Sequence, residues 1–185
     1  PERQLEMVRS MVGMYREWGW LPKWELYGRE TFTMEGDPSI PVIVDTWMKG
    51  LRDFDMDAAY EAMRKSATTP GARNRMRPDI DPYIEKGYVP LGFYARDLSG
   101  DNSVSHALEY YIADHALSLL ADSLGKKDDA ALFRARSLGY KNYYSTESGT
   151  FRPITREGKF LTPFDPRQGE NFEPCLLYTS PSPRD

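Results

Sequence analysis

Asp37 is the carboxylate in this chain best placed for chemistry. It closes a polar, aromatic stretch and stands immediately before Pro38 and the apolar run Ile40, Ile43, Val44, Trp47. That run has the i, i+3, i+4, i+7 spacing of one buried helical face, so Asp37 lies where a loop meets a packed helix. A carboxylate there has two possible uses. It can cap the helix by accepting a backbone N–H bond, worth about 1 kcal/mol, with Pro38 in the first helical position. It can also accept hydrogen bonds from a ligand on the loop, since sites tend to be built on loops held by rigid elements. From the residues alone the cap is the more economical account, and the two uses do not exclude each other.

The other chemically capable residues give weaker signals. Glu109 and Asp114 fall in the longest expected helix beside Tyr110 and Tyr111, where an exposed, salt-bridging face explains them at least as well as a site. His106 and His115 are nine residues apart, on different parts of that helix, and fit no metal spacing such as His-Glu-x-x-His. A packed or surface role is expected for both, and no metal ligand is assigned. No glycine-rich dinucleotide loop, Walker loop or Gly-x-Ser-x-Gly elbow occurs, which removes the usual signals for nucleotide chemistry and serine hydrolysis. The chain carries 12 Tyr, 8 Phe and 4 Trp, in loops as well as on helix faces. Such surfaces line sugar clefts, although a large helical core uses aromatics in the same numbers.

The elements that must position these residues are helices. Residues 2–18 place Leu5, Val8, Val12 and Tyr15 at helical spacing and stop at Gly19. Residues 20–35 form a structured loop without a sustained period. The helix that begins after Asp37 stops at Gly50. After a short turn, Asp55 or Asp57 caps a third helix whose buried face is Met56, Ala59, Tyr60 and Met63. A turn that short makes an antiparallel αα-hairpin. Residues 69–102, with four prolines and four glycines, form a long excursion with at most one helical turn near Tyr83. Residues 103–124 form the longest helix, with Leu108, Tyr111, Ile112, His115 and Leu119 on its buried face. A second hairpin partner then carries Ala131, Phe133 and Leu138 to about Tyr144. Residues 145–174 are extended, with Phe151, Phe160 and Phe164 in a short hairpin or packed loop.

The order is therefore helix pair, long loop, helix pair, long loop. If the pairs pack side by side, the tight turns lie on one rim and the long loops on the other, as in a helical solenoid or an (α/α)6 toroid. Loops of this length inside a compact domain need a reason, which makes their rim the functional face.

Composition narrows the partners. With 24 Lys and Arg against 28 Asp and Glu, a net charge of −4 and no basic run, the chain offers nothing for a phosphate backbone, so nucleic acid is not an expected partner. No stretch of about 18 apolar residues is present to span a membrane. At 185 residues the chain could be one domain or a piece of a larger one.

Its last eleven residues, from Cys175 to Asp185, share no periodicity with what precedes them. They can be encoded by codons that resemble the transposase adapter used in sequencing libraries. We expect residues 1–174 to be the natural part, an incomplete helical domain, and 175–185 to be a non-native tail. The only Cys then supports no disulfide, thiol or zinc argument.

An ordered set of short motifs resembles glycoside hydrolase family 92, the exo-acting α-mannosidases. It runs through Leu21-Pro22-Lys23-Trp24, Met34-x-Gly36-Asp37, Pro41-x-x-x-Asp45, Lys49-Gly50 and Phe54-Asp55. It continues with Ala59-Tyr60-x-Ala62-Met63, Gly87-Tyr88-Val89-Pro90, Ser105-x-x-Leu108-Glu109-Tyr110 with Asp114, and Leu120-Ala121-x-x-Leu124-Gly125. It closes with Phe151-Arg152-Pro153 and Phe164-Asp165-Pro166.

The resemblance implies the first part of an all-α (α/α)6 toroid, preceded in the family by a β-sandwich, and hydrolysis of terminal α-mannosides on glycans, with inversion and with a calcium ion. It implies secretion or a periplasmic location. Inversion needs an acid and a base roughly 6.5 to 9.5 Å apart. The family's acid lies in a Glu-Gly-Asn segment and its base in a Gly-Asn-Asp-Asp segment, both expected beyond Pro174. Glu173 precedes Pro174 and not Gly, so no catalytic residue is assigned within this chain, and the calcium ligands are likewise expected outside it. Asp37 matches the family's sugar-site motif and is expected to bind a substrate hydroxyl, with Trp24 lining the pocket. A helical-repeat binding module without catalysis, or a toroid glycosidase for another sugar, are the alternatives that the hairpin pattern allows.

Overall fold

Helix α1 (Glu2–Trp18) forms where Leu5, Val8 and Val12 recur, and ends at Gly19, whose φ of 76° lets its N–H return to the Tyr15 carbonyl. The computed structural model describes residues 1–93 and 103–165. A loop with the two-residue strands β1 (Glu25–Leu26) and β2 (Arg29–Glu30), paired antiparallel, leads into α2 (Ser39–Met48). Helix α3 (Met56–Thr68) is capped by Asp55, whose side chain accepts from the Ala58 N–H at 3.0 Å.

The excursion that follows holds a 3-10 turn (Gly71–Arg73) and α4 (Ile80–Lys86). That is two turns of helix where the sequence suggests at most one. Pro82 permits it because it is the third residue of α4, where no intrahelical acceptor awaits its missing N–H; Pro41 is accommodated in α2 in the same way. Helices α5 (Ser103–Ser123) and α6 (Lys127–Ser137) form the tight hairpin expected around Gly125. A 3-10 turn (Leu138–Asn142) and the pair β3 (Tyr144–Ser145) and β4 (Thr150–Phe151) follow.

Helix α1 packs against α2 and α3, α2 against α5, and α5 against α6 and α3. The turn from α2 to α3 is short, yet the larger helix contacts of α3 are with α1 and α5. One apolar cluster joins α1, α2, α3, α5 and α6 through Val8, Ile40, Ile43, Met63, Leu117 and Phe133. A second lies under the excursion, where Ile80, Tyr83, Val89, Tyr110, Tyr111 and Tyr143 meet, with Phe151, Phe160 and Phe164 against it. The packed aromatic loop expected after residue 145 is this layer. The fold is all-α and toroid-like, with α2 packed directly on α5.

Two faces differ from expectation. On α5, Tyr111 is buried, but His115 is exposed, and Ile112 and Leu119 are 54% and 38% exposed. The buried side is instead Val104, Ala107, Tyr110, Ala113, Asp114, Leu117 and Leu120. Apolar residues surround this helix, so their period selects no face. The buried side is the one whose alanines allow close approach and whose polar groups find partners. On α6, Phe133 is buried as expected, whereas Ala131 is exposed; the helix ends at Ser137, before the expected Tyr144, and Leu138 in the 3-10 turn after it is 46% exposed.

Candidate functional site

The start of α2, the end of α3, the excursion, the first half of α5 and the end of α6 meet at one rim. Asn74 folds the excursion locally. Its Nδ2 donates to the carbonyls of Ser66 and Thr69 at 2.8 Å, and its Oδ1 accepts from the N–H groups of Met76 (3.1 Å) and Arg77 (2.8 Å). That turn drives Arg77 inward, where it is the largest fully buried side chain among the described residues.

Arg77 joins two buried aspartates. Its Nε donates to Asp37 Oδ2 at 3.1 Å and its Nη1 to Asp114 Oδ1 at 2.7 Å. The guanidinium lies 5.0 Å from the centre of the Tyr110 ring. Ser66 Oγ also donates to Asp37 Oδ2, at 2.6 Å. Asp114 Oδ2 accepts from the Tyr83 hydroxyl and pairs with Arg136 Nε, both at 2.9 Å. Arg136 Nη1 donates to the Ala67 carbonyl at 2.9 Å and so ties α6 to the end of α3. Charges therefore alternate from Asp37 through Arg77 and Asp114 to Arg136. Burial alone would lower the Arg77 pKa, but Asp114 and then Asp37 outweigh it and hold it above its ordinary value, so the guanidinium stays charged. Burial pushes the Tyr83 and Tyr110 hydroxyls well up, which keeps them neutral donors.

Beside this ladder, Asp79 Oδ1 accepts from the Tyr110 hydroxyl at 2.6 Å, and His106 Nδ1 lies 3.0 Å from Asp79 Oδ2. Burial drives the Asp79 pKa up, yet the hydrogen bond and charge of His106, with the Tyr110 bond, leave it below its usual value.

Asp37 does not cap α2 with its side chain. The helix begins at Ser39, the Asp37 carbonyl accepts the Ile40 N–H at 3.3 Å, and the carboxylate turns away to Ser66 and Arg77. The glycine before it is required twice over. Gly36 has a φ of 80°, and a Cβ there would lie 2.6 Å from Glu109 Cβ. Glu109, pressed onto Gly36 from α5, has its carboxyl pushed up by burial and then by the charge of Glu35.

Trp24 is 47% exposed on the rim. Its backbone is held by Glu30, whose carboxylate accepts from the N–H groups of Lys23 (2.5 Å), Trp24 (3.0 Å) and Phe32 (2.5 Å). The links from this hairpin to the aspartate–arginine ladder run through neighbouring residues. Lys23 Nζ donates to the Met76 carbonyl at 2.6 Å, next to Arg77, and Ser39 Oγ donates to the Pro22 carbonyl.

Several buried atoms of the ladder make no hydrogen bond: Asp37 Oδ1, Arg77 Nη2 and, at its far end, Arg136 Nη2 and Nε, the last held to Asp114 as an ion pair only. An unmet buried acceptor or donor costs about 1–3 kcal/mol, so Asp37 Oδ1 and Arg77 Nη2 together are a ready place for a polar, neutral ligand group. It is a poor place for calcium. Asp37 and Asp114 are each bound to Arg77, whose charge opposes a cation. Among the described residues no three His, Cys, Asp or Glu side chains are grouped to hold a metal.

Sequence reasoning singled out Asp37 but missed Arg77, Ser66, Tyr83, Asp79 and Arg136, and it gave Asp114 an exposed face. The available signal was the excursion itself, too long to be structureless, with one arginine placed directly before a proline in Asn74-x-x-Arg77-Pro78-Asp79.

A toroid-like helical scaffold with a buried charge ladder at its loop rim is the class that fold and site define. The chain belongs to glycosyl hydrolase family 92, whose catalytic-domain model matches residues 1–179, five residues into the tail that begins at Cys175. A relative from Arthroderma benhamiae, described as an uncharacterized secreted glycosidase, is 28% identical over 171 residues, or 90% of this chain and 22% of that protein. The structure is similar to that of a family 92 inverting mannosidase from Bacteroides thetaiotaomicron, with a TM-score of 0.78, 30% identity, and coverage of 89% of this chain and 22% of that one. A family 92 α-mannosidase of the same organism, solved in complex with mannoimidazole, gives a TM-score of 0.76 and 32% identity over 89% of this chain and 20% of that one. This chain thus spans about a fifth of the length of the proteins it matches. No helix among the described residues is long and apolar enough to cross a membrane.

Proposed function

We propose that this chain forms part of the catalytic domain of a secreted exo-α-mannosidase that removes terminal α-mannose from glycans with inversion. Family membership and the mannosidases of similar structure support the reaction class. The observation that carries the binding role is Asp37 Oδ1, a buried carboxylate oxygen left without a donor at the loop rim. A mannose hydroxyl donating to it would meet that need, while Ser66 and Arg77 hold the other oxygen. Trp24, half exposed in the loop that leads into α2, is proposed to supply an apolar wall for the sugar ring.

Inversion requires one carboxylic acid to protonate the leaving oxygen and one carboxylate to activate a water on the opposite face. Both are proposed to lie beyond Pro174, as are the residues that hold calcium, so the 185-residue chain alone releases no mannose.

The test uses the full-length protein and a panel of α-linked mannose disaccharides. Release of mannose, seen first as the β-anomer by NMR and abolished by chelation of calcium, is the expected result. Binding without release points to a helical-repeat binding module. Release of a different sugar points to another toroid glycosidase.

A further inference from the structure

The hairpin of β1 and β2 carries its most exposed side chain at a strained position. Its two-residue turn is Tyr27-Gly28, with φ of 55° and 73°. Positive φ at both central residues is the type I′ pattern, whose first position favours Asn, Asp or Gly. A bulky ring is an unfavourable choice there, yet Tyr27 is 95% exposed, so no packing inside the chain offsets the strain. Side chains alternate along the ribbon. Lys23 and Glu25 line the groove against Met7 and Met14 of α1, which leaves Trp24 and Leu26 on the opposite side, 47% and 49% exposed. Arg29 pairs with Leu26 across the ribbon and stands, exposed, on that same side.

The base of the same hairpin is fastened to residues that adjoin the ladder. Lys23 Nζ donates to the carbonyl of Met76, the residue before Arg77, and Ser39, two residues after Asp37, donates to the Pro22 carbonyl. The ladder itself is closed off, since Asp37, Arg77 and Asp114 are fully buried. A glycan whose terminal sugar reaches Asp37 must therefore run its remaining residues outward, past the side chains that stand out from the rim. An exposed ring with a guanidinium nearby suits such a residue: the ring meets the apolar C–H face of a sugar and the guanidinium donates to its hydroxyls. We propose that Tyr27, with Leu26 beside it, is a leaving-group contact: the hairpin tip engages the sugar to which the terminal mannose is attached and so selects which glycans are trimmed. This rests on the mannosidase reading for the identity of the terminal sugar but not for the role of the hairpin.

The experiment compares two substrates of the full-length protein, an α-linked mannose disaccharide and α-mannosyl fluoride, whose leaving group is a single atom and cannot reach the hairpin. The quantity read is the ratio of their kcat/KM values in the wild type, Y27N and Y27F. Asn tolerates the left-handed backbone, so Y27N keeps the turn while removing the ring. Y27N should lower the disaccharide-to-fluoride ratio about threefold or more, mainly through the KM of the disaccharide, the size of one lost ring contact. Its melting temperature should equal or exceed that of the wild type, because the strain at the turn is relieved. Y27F, which keeps the ring, should keep the wild-type ratio.

A wild-type ratio in Y27N overturns the proposal, and so does an equal loss on both substrates, which makes Tyr27 a structural residue. In either case hydrolysis of the two substrates by the wild type leaves the mannosidase reading standing. If the wild type releases another sugar instead, the same ratio is read on the fluoride and disaccharide of that sugar, and a fall in Y27N keeps the hairpin contact while refuting the mannosidase reading. Release of no sugar refutes both.

Discussion

The apolar cluster that joins α1, α2, α3, α5 and α6 and the charged cluster at their loop rim hold the same helices together by opposite means. In the first, Ile43, Met63, Leu117 and Phe133 are fully buried. Each gains from leaving water and tolerates some rearrangement of its neighbours. In the second, Asp37, Arg77 and Asp114 are equally buried but gain only while every partner stays in place, because desolvating a charge costs more than any one contact returns. The apolar cluster therefore fixes which helices pack. The rim fixes where single atoms point, and it is the region that leaves Asp37 Oδ1 and Arg77 Nη2 without partners.

This contrast can be broken by mutation. R77M should have the largest effect: it strands two buried carboxylates and should destabilise the full-length protein by about 3–5 kcal/mol, read by urea unfolding. An unchanged midpoint would mean that the rim is not the interlocked unit described. F133A should approach that size, about 3–5 kcal/mol from lost burial and the cavity left behind, but without changing which sugar the full-length protein selects. Loss of sugar selectivity in F133A would erase the distinction between the clusters.

G36A should cost about 1–3 kcal/mol, since it combines a left-handed backbone with a Cβ 2.6 Å from Glu109 Cβ. It should also raise KM, because the next residue is Asp37.

The acid limb of stability is smaller. Asp79 titrates below its ordinary value in the folded protein, so its contribution is complete above about pH 4 and is lost as the pH falls through the folded pKa. H106A removes a donor that lowers that pKa and should shift the acid unfolding midpoint upward. An unmoved midpoint would show that Asp79 does not depend on His106. At the bottom of the scale, D122A, which breaks the exposed pair with Lys127, should leave the melting temperature unchanged within error.

Most of the apolar half was legible in the residues. The bounds of α1, α2, α3 and α5, the start of α6, a cap at Asp55 or Asp57, the stops at Gly19 and Gly125 and the burial of Phe133 all follow from spacing and turn chemistry, because these act over one or two helical turns; α6 itself ends at Ser137, short of Tyr144, and tightens into the 3-10 turn Leu138–Asn142. The buried side of α5 did not follow. A helix apolar on nearly every side carries no directional signal, and Ile112 and Leu119 read as core until their neighbours are known.

At the rim, Met-x-Gly-Asp drew attention to Asp37, and the family motifs gave it a role. Nothing in the chain's local pattern paired it with Arg77, 40 residues away, or Arg77 with Asp114, 37 residues further on.

By itself, then, the sequence determined the helices, their order, the long-loop rim and membership of family 92, since each depends on neighbours along the chain or on motifs read in order. Only the tertiary structure decided that Asp37 is an ion-pair member and not a helix cap, that Asp114 is buried, and that Arg77 links them. The reason is electrostatic. A carboxylate looks the same in sequence whether it faces water or a guanidinium, and only the path of the excursion from Thr69 to Val89 decides which.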